Sequence, residues 1–503
     1  MTLPLVIILL FFAFAVTIGL LAKRGRKLGF EQWAVGNRGF GTLWMLVLLN
    51  GENSTTFTFL GASGWAYGKG IAAFFVLGYG CIAYIAGYWM MPPVWRYAKE
   101  HHLVSFADYF ARKYDSRALG ILVSVVALLG LASLLTTQLR GLTIIISEAS
   151  YGALPAWGSV AIGTTAMVWY ILFSGIRGSA AISVFKDIVI VTVALFLGYY
   201  LPTHYFGGVR PMFEAVAAAR PDFMHLTQKG CGPAWYTSTI LLVSMAYYMY
   251  PHTFTALYAS RDARVVRRNS TLMPLAQFII LLMFLVGFSA ILTIPELRGA
   301  DGDLALLRIA KQTFPPWLVG VIGGVGVLMA IVPGSMILLN AATLISGTLY
   351  RDALAPAATE RQVGRVARIA LPIFALIVAC FVLAKNIPFV GLLVLAASVL
   401  TQLFPAFIFS VFPRRVGDKR GAFAGIVVGG GIVAWFAFSS QTLVDWIPVL
   451  PKVWQDLNIG LVALAANFLT FLGVTALFLP HEKPHPSSHI SEGSLPPLPL
   501  SRN

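Results

Sequence analysis

A polar, glycine-containing segment interrupts an apolar run that is long enough to cross a membrane. The run covers residues 41–67, and the segment at 49–56 reads Leu-Asn-Gly-Glu-Asn-Ser-Thr-Thr. Inside hydrocarbon the backbone N–H and C=O groups must be hydrogen-bonded locally, so such a break survives only where it lines a cavity or binds a ligand. Interrupted membrane helices near the bilayer midplane are typical of the substrate and ion sites of transporters. The break therefore predicts a ligand site within a membrane protein.

The composition indicates an integral membrane protein. Of the 503 residues, 58% are apolar and 11% are charged, against about 45–50% and about 25% in soluble domains. Apolar runs of membrane-spanning length predict thirteen transmembrane helices in an all-α bundle. These runs lie at 4–22, 41–67, 71–95, 118–147, 155–174, 178–201, 236–259, 271–294, 317–349, 366–384, 388–412, 421–440 and 456–479.

Lys and Arg are concentrated in every second loop, for example at 96–117 and 351–368. This alternation follows the positive-inside rule and predicts a multi-pass protein of the cytoplasmic (inner) membrane, with the N-terminus outside and the C-terminus in the cytoplasm. The formal net charge of +16 then needs no nucleic-acid partner. The loops at 202–235 and 295–316 fall outside and are expected to cover the outer mouth. Residues 481–503 are predicted to form a disordered cytoplasmic tail.

A second interruption, at 244–253, reads Ser-Met-Ala-Tyr-Tyr-Met-Tyr-Pro-His-Thr. Pro251 lacks a backbone donor and crowds the preceding turn, which breaks or kinks a helix. Two interrupted spans, each opening a set of five, predict an inverted five-plus-five repeat. The expected regions are an extra span with a basic loop at 1–40, the two repeats at 41–201 and 202–412, and two peripheral spans at 413–480.

The first break supplies the main candidates for a substrate site. Its unwound carbonyls could coordinate a cation, and the free amides at the start of its second half attract a carboxylate. The alternative is a kink stabilised by Ser and Thr hydroxyls that bond to the backbone, but two amides and an acid in one turn exceed what a kink needs. The candidates are Gly51, Glu52, Asn53, Ser54 and Thr55.

Lys186 and Asp187 lie inside the expected span 178–201. A lysine at the centre of a membrane helix costs roughly 2.5–3.5 kcal/mol, so its default interpretation is functional. Because removal from water disfavours a charged ammonium, this lysine could exchange a proton. We therefore expect Lys186, Asp187 and Glu52 to couple transport to an ion. The alternative is that Lys186 extends to the cytoplasmic surface while Asp187 pairs with a neighbour.

Arg140, with Gln138 two residues earlier, lies deep in the span 118–147. A guanidinium grips a carboxylate in bidentate fashion, so Arg140 is a candidate for a substrate carboxylate. A structural pairing with Glu52 or Glu148 is the alternative. At the second break, the aromatic groups are either packing residues or contacts for substrate, and the imidazole is a candidate proton-linked group. These residues are Tyr247, Tyr248, Tyr250 and His252.

Several segments resemble the sodium:solute symporter family over about residues 5–480. The sequence AATLISGTLYRD at 341–352 resembles the end of that family's ninth span, and Gly61 to Tyr67 resembles the end of its broken second span. Ser174-Gly175-Ile176-Arg177 resembles its Gly-Gly turn before the sixth span. The resemblance implies an inverted-repeat, alternating-access fold of the leucine-transporter type. IVPGSM at 331–336 and GADGDLALLRIAKQTFPPW at 299–317 are more similar to the monocarboxylate permease branch, which takes up lactate and pyruvate.

One departure from the family is informative. The resemblance implies a sodium ion between carbonyls of the broken second span and two adjacent hydroxyls of the ninth. An ungapped alignment back from Tyr350 places Val332 and Pro333 at the hydroxyl positions, with Ser335 close by. Neither of the first two side chains offers the oxygen that a hard cation requires. This vestigial cation site favours proton over sodium coupling. It also suggests that the ammonium of Lys186 takes the place of the bound cation.

We therefore expect a secondary active transporter that imports a small organic anion, a monocarboxylate such as lactate or pyruvate, with a proton and by alternating access. A sodium-coupled symporter for an amino acid or vitamin is the alternative within transport. A transporter-like membrane sensor is the alternative from another class, and the lack of an output domain after residue 480 argues against it. No hydrolase elbow, metal cluster or phosphate loop is visible, so neither an enzyme nor a cofactor or metal is expected.

Overall fold

The computed structural model describes residues 2–23, 38–226, 230–294, 297–412, 417–439 and 441–478, with the backbone alone over 173–180. Helices make up nearly all of this part of the chain. The α-helices are α1 (Leu3–Lys23), α2 (Thr42–Asn53), α3 (Ala62–Lys69), α4 (Phe75–Glu100), α5 (Phe106–Lys113), α6 (Arg117–Ala149), α7 (Ala156–Phe206), α8 (Val209–Ala219), α9 (Pro233–Ala246), α10 (Pro251–Tyr258), α11 (Ala263–Leu272), α12 (Gln277–Thr293), α13 (Ala305–Thr313), α14 (Pro316–Thr343), α15 (Glu360–Ala384), α16 (Phe389–Leu400), α17 (Phe404–Val411), α18 (Lys419–Ser439), α19 (Leu443–Trp446) and α20 (Ile459–Phe478).

The helices confirm an all-helical membrane protein. Ten helical runs among the described residues are long and apolar enough to cross a membrane, and a shorter apolar helix covers Ala156–Leu172. The count of thirteen spans and the inverted repeat stay predictions. The tail expected at 481–503 lies outside the described residues.

Helix α7 differs from the expectation of two spans separated by a turn at 174–177. It runs without interruption for 51 residues, about 76 Å at a rise of about 1.5 Å per residue. That length is more than twice the hydrocarbon thickness of about 30 Å, so the helix is longer than a single crossing requires. The expected non-helical turn is wrong, because the helical backbone continues through Ser174-Gly175-Ile176-Arg177.

The first break is confirmed. Helix α2 ends at Asn53, and Ser54 leaves the helical region with φ −78° and ψ 87°. A π-helical turn at Phe57–Gly61 then leads into α3. Side chains satisfy the loosened backbone, since Thr58 Oγ1 donates to the Asn53 carbonyl over 3.0 Å. The local hydrogen bonding that hydrocarbon demands is thus supplied by the hydroxyls of the break itself.

The second break is confirmed as well. Helix α9 ends at Ala246 and is followed by a 3₁₀ turn at Tyr247–Met249. Tyr250 is extended, with φ −69° and ψ 116°, and Pro251 occupies the first turn of α10. Proline is suited to that position because the backbone donor it lacks has no partner within the helix.

Helix α14 lies at the centre of the bundle. In its run, Pro316–Leu354, 94% of the apolar stretch is buried, and it packs against α1, α6 and α7. Small residues allow this closeness: a Cβ added to Gly324 would lie 2.6 Å from the ring of Phe11 on α1. Glycine at such contacts lets membrane helices approach backbone to backbone. Helix α14 contacts both broken helices from this central position.

Candidate substrate cavity

A cavity of about 90 Å³ lies beside both breaks. One water needs at least about 10–15 Å³ of such space, so the cavity has room for several waters or one small molecule. Eight of the residues predicted from the sequence line it. They are Glu52, Asn53, Ser54, Thr55, Gln138, Tyr247, Tyr250 and His252.

The cavity also has lining residues that sequence reasoning missed. Tyr79 and Tyr84 come from α4, Thr137 from α6, and Gln277 from the start of α12. Gln277 carried a usable signal, because a polar side chain within an apolar span is functional by default. The two tyrosines carried none, since aromatic residues in membrane spans are usually packing residues. Apolar walls come from residues that include Phe57, Leu134, Ile280, Ile337 and Leu393.

Three residues predicted for the substrate site, Gly51, Arg140 and Tyr248, are not among the residues that line the cavity. The Tyr248 hydroxyl lies so close to Gly87 of α4 that an added Cβ there would be 1.8 Å away. Gly51 instead contributes its backbone. A Cβ on Gly51 would lie 2.2 Å from Ser183 Oγ, so glycine is what allows α2 to approach α7 at this point.

Lys186 projects from α7 into the first break. Its side chain is fully buried, and its Nζ donates to the carbonyl oxygens of Gly51 over 2.6 Å and Ser54 over 2.9 Å. Asp187 Oδ1 lies 3.8 Å from the same nitrogen. The lysine therefore does not extend to the surface. Its ammonium occupies the position at which the unwound carbonyls of the break would hold a cation.

Several buried polar atoms of the cavity wall find no hydrogen-bond partner among the described residues. They are both carboxylate oxygens of Glu52, the Tyr250 hydroxyl, His252 Nδ1 and Thr253 Oγ1. All four residues line the cavity. Buried polar groups are nearly always hydrogen-bonded, so this group of atoms is chemically incomplete without a ligand or water. It comes from the first break and from the start of α10.

Hydrogen bonds join the two breaks across the cavity. The Tyr247 hydroxyl donates to the Tyr84 hydroxyl over 3.0 Å, and Asn53 Nδ2 donates to that same oxygen over 3.4 Å. Gln138 has a positioning role, because its Oε1 accepts from the backbone N–H of Thr56 over 3.3 Å and from the Thr56 hydroxyl over 3.0 Å. The second half of the first broken helix is thereby tied to α6.

On α14, Val332, Pro333 and Ser335 are all buried. Ser335 Oγ donates to the carbonyl oxygen of Val332 over 2.7 Å. Of these three side chains, only that of Ser335 carries an oxygen atom. A cation held by the first break would find no ligand on the other two side chains.

Arg140 belongs to a separate group, which we call the Arg140 cluster. Its Nη2 donates to the Ala300 carbonyl over 3.0 Å and lies 3.4 Å from Asp303 Oδ2, and its Nη1 donates to Asn386 Oδ1. The guanidinium carbon lies 5.6 Å from the centre of the Phe389 ring. Asp303 Oδ2 also accepts from the backbone N–H of Phe389 over 3.2 Å. The partner of Arg140 is thus Asp303, whereas Glu148 pairs with Lys311.

Comparisons with known proteins agree with this architecture. The chain is 46% identical over 477 residues to the symporter YhjB of Bacillus subtilis (strain 168), covering 95% of this chain and 97% of the relative. It is 27% identical to the monocarboxylate transport permease protein of Rhizobium johnstonii, covering 95% and 98%. The fold matches that of a Na⁺-coupled sialic acid symporter in an outward-open state, with a TM-score of 0.76, 14% identity and coverage of 95% and 98%.

The relatives are transporters rather than enzymes, and the family model that describes sodium:solute symporters matches residues 33–429. That range contains both breaks, the cavity and the Arg140 cluster. The chain belongs to the sodium:solute symporter family.

Proposed function

We propose that this symporter imports a small monocarboxylate, such as lactate or pyruvate, together with a proton. The size of the cavity supports a substrate of a few heavy atoms. The name of the Rhizobium johnstonii relative, a monocarboxylate transport permease, supports the acid class. The orientation that follows from the basic loops has the N-terminus outside the cytoplasmic membrane and the C-terminus inside.

The cavity wall supplies groups that suit a small hydroxy or keto acid. The hydroxyls of Tyr250 and Thr253 can donate to substrate oxygens, and His252 can donate or accept according to its tautomer. Glu52 sets a condition on an anionic substrate. An ionised, unpartnered carboxylate would repel the substrate, whereas a protonated one would donate its O–H to the substrate carboxylate. We therefore assign Glu52 a bound proton in the loaded state.

Lys186 carries the proposal of proton coupling. Its ammonium donates to the carbonyls of Gly51 and Ser54, which is where the family resemblance implies a sodium ion. The Lys186 ammonium already supplies the positive charge at this place. Because the side chain is part of the protein, that charge can be removed only by release of a proton. Loss of that proton would weaken both hydrogen bonds and release α2 from α7 at the break. Protonation would thus control the movement of the broken helix on which alternating access depends.

Net charge gives a reason for this coupling. A proton that binds with the anion lets the loaded carrier move with less net charge through the membrane field, which acts at about 2.3 kcal/mol per charge per 100 mV. Asp187, 3.8 Å from Lys186 Nζ, and Glu52 are the nearest candidates to share the proton. We propose the three residues as one coupling group.

Proteoliposomes test the coupling directly. We expect uptake of radiolabelled lactate or pyruvate to follow an imposed proton gradient and to ignore a sodium gradient. Lys186→Ala should flatten the dependence of uptake on pH. Lys311→Ala is the matched control, because Lys311 also contacts a backbone carbonyl and a carboxylate but is 24% exposed. Strict sodium dependence, or an unaltered pH profile in Lys186→Ala, would reject proton coupling.

A second candidate is a sodium-coupled symporter for an amino acid or vitamin. The observation in its favour is the unpartnered carboxylate of Glu52, which would pair well with the ammonium group of an amino acid. A panel of monocarboxylates, amino acids and vitamins, run with and without sodium, separates the two candidates. Uptake of any of these solutes would also exclude a protein that only senses its ligand.

A further inference from the structure

The Arg140 cluster lies about one helical turn beyond the cavity. Thr137 lines the cavity, and Arg140 follows it on the same face of α6, about 4.5 Å further along. Leu393 lines the cavity as well, and Phe389 precedes it by one turn of α16. Phe57 completes the link, because a Cβ on Gly61 would touch both Phe57 and Phe389 at 2.9 Å.

The cluster joins four separate parts of the chain. Arg140 comes from α6, Asp303 from the 3₁₀ turn Gly299–Leu304, Asn386 from the segment before α16, and Phe389 from the first position of α16. Asp303 also packs on α3, the second half of the first broken helix, where a Cβ on Gly64 would lie 2.7 Å from its Cα. The broken helix cannot move away from α6 and α16 at this end without disturbing these contacts. The cluster therefore links α3, α6 and α16 at this end of the cavity.

The ion pair at its centre is loose. The 3.4 Å between Arg140 Nη2 and Asp303 Oδ2 exceeds the roughly 2.7–2.9 Å of a strong charge-assisted hydrogen bond. Arg140 Nε is buried and has no hydrogen-bond partner among the described residues. A guanidinium can offer two parallel N–H groups to a single carboxylate, and Asp303 does not use that mode. The contact between Arg140 and Asp303 is thus weaker than the bidentate pair that a free carboxylate could form with the same guanidinium.

We propose that the Asp303 carboxylate occupies the place of the substrate carboxylate beside Arg140. An incoming monocarboxylate then displaces Asp303 from Arg140 and opens this end of the cavity. This inference rests on the proposed function, because it assumes a carboxylate substrate. Release of Asp303 frees the Gly299–Leu304 turn from α6 and α3. A neutral analogue of the same shape cannot displace Asp303, since it brings no charge for Arg140. The cluster is therefore a gate that selects anions before they reach the cavity.

The first experiment tests the gate without any substrate. Cys81, Cys231 and Cys380 are replaced by Ser, and Leu393→Cys supplies a reporter in the cavity wall. A membrane-impermeant maleimide is then added to the outer face of vesicles. Asp303→Asn should speed labelling about tenfold, the effect of a shift of about 1.4 kcal/mol in the closed-to-open equilibrium. Unchanged labelling would overturn the gate.

The chain offers a matched control for this substitution. Asp301→Asn removes the same charge from the same turn, but Asp301 is exposed and should leave the labelling rate unchanged. Asp303→Asn keeps an oxygen that can accept from the backbone N–H of Phe389, so its folding should be preserved. Asn386→Ala removes another partner of Arg140 and should also speed labelling. Equal acceleration by Asp301→Asn would overturn the assignment to Asp303.

The second experiment tests the exchange of carboxylates. Without its internal competitor, Asp303→Asn should reach half-maximal lactate uptake at a concentration about tenfold lower, one factor of ten per about 1.4 kcal/mol. Lactamide, which is neutral, should not speed labelling of the parent, because it cannot displace Asp303. An unchanged lactate concentration would reject the exchange. If the parent takes up no monocarboxylate, the proposed function fails, while the labelling experiment still decides whether the cluster is a gate.

Discussion

Replacement of Lys186 by methionine tests how strongly this lysine stabilises the first break. Methionine is an unbranched side chain that fills irregular space in a protein core, so the change removes the ammonium and creates little cavity. Two hydrogen bonds disappear, those of 2.6 Å to the Gly51 carbonyl and 2.9 Å to the Ser54 carbonyl. Asp187 also loses the cation that lies 3.8 Å from it.

The expected magnitude follows from these contacts. Hydrogen bonds to charged groups contribute about 1.5–3 kcal/mol each, so the two together contribute about 3–6 kcal/mol. At Lys311 the same substitution should cost about 0–1 kcal/mol, because that lysine is partly exposed and its ion pair is screened by solvent. The ranking of the two variants depends on burial, which is complete at Lys186 and 24% short of complete at Lys311.

Thermal denaturation of the purified protein in detergent gives the measurement. The midpoint of the loss of monodisperse protein should fall clearly for Lys186→Met and hardly at all for Lys311→Met. Equal midpoints in the two variants would refute the reasoning, since they would mean that the carbonyls of the break are satisfied without the lysine. A higher midpoint for Lys186→Met would mean that burying the ammonium costs more than its hydrogen bonds return.

Three further outcomes are expected. Burial raises the pKa of the Asp303 carboxyl to about 7, and Arg140 and the backbone N–H of Phe389 oppose the rise only in part. Pairing of Asp303 with Arg140 therefore requires a pH above that value. Because maleimide reacts with the thiolate and slows as the pH falls, the labelling rate of the cavity reporter is compared with that in Asp303→Asn, and this ratio should increase as the pH falls through about 7. Gly51→Ala should lower stability by about 1–3 kcal/mol through overpacking, because the new Cβ would lie 2.2 Å from Ser183 Oγ, and the added change Ser183→Gly should restore it in the same thermal assay. Tyr84→Phe removes the acceptor for the Tyr247 hydroxyl and should weaken substrate binding by about 1 kcal/mol, seen as a higher half-saturating concentration with unchanged protein yield.

The sequence by itself determined the class of the protein and the positions of its two breaks. Long apolar runs can be satisfied only by helices in hydrocarbon, and a polar glycine segment or Pro251 interrupts a helix through its own local chemistry. These are properties of neighbouring residues, so they can be read along the chain. The same reasoning identified Lys186, because a charged residue within an apolar run can be recognised without knowing which residues it contacts.

Only the tertiary structure decided which residues meet. The carbonyls that accept from Lys186 lie 135 and 132 positions away in the chain, and the carboxylate beside Arg140 lies 163 positions away. The uninterrupted helix through 174–177, against the expected turn, is likewise not a property of that segment's residues alone. Apolar patterns state which residues enter the membrane, but helix packing sets the rotation and height of each helix. Contacts between distant helices depend on both, and no local pattern encodes them.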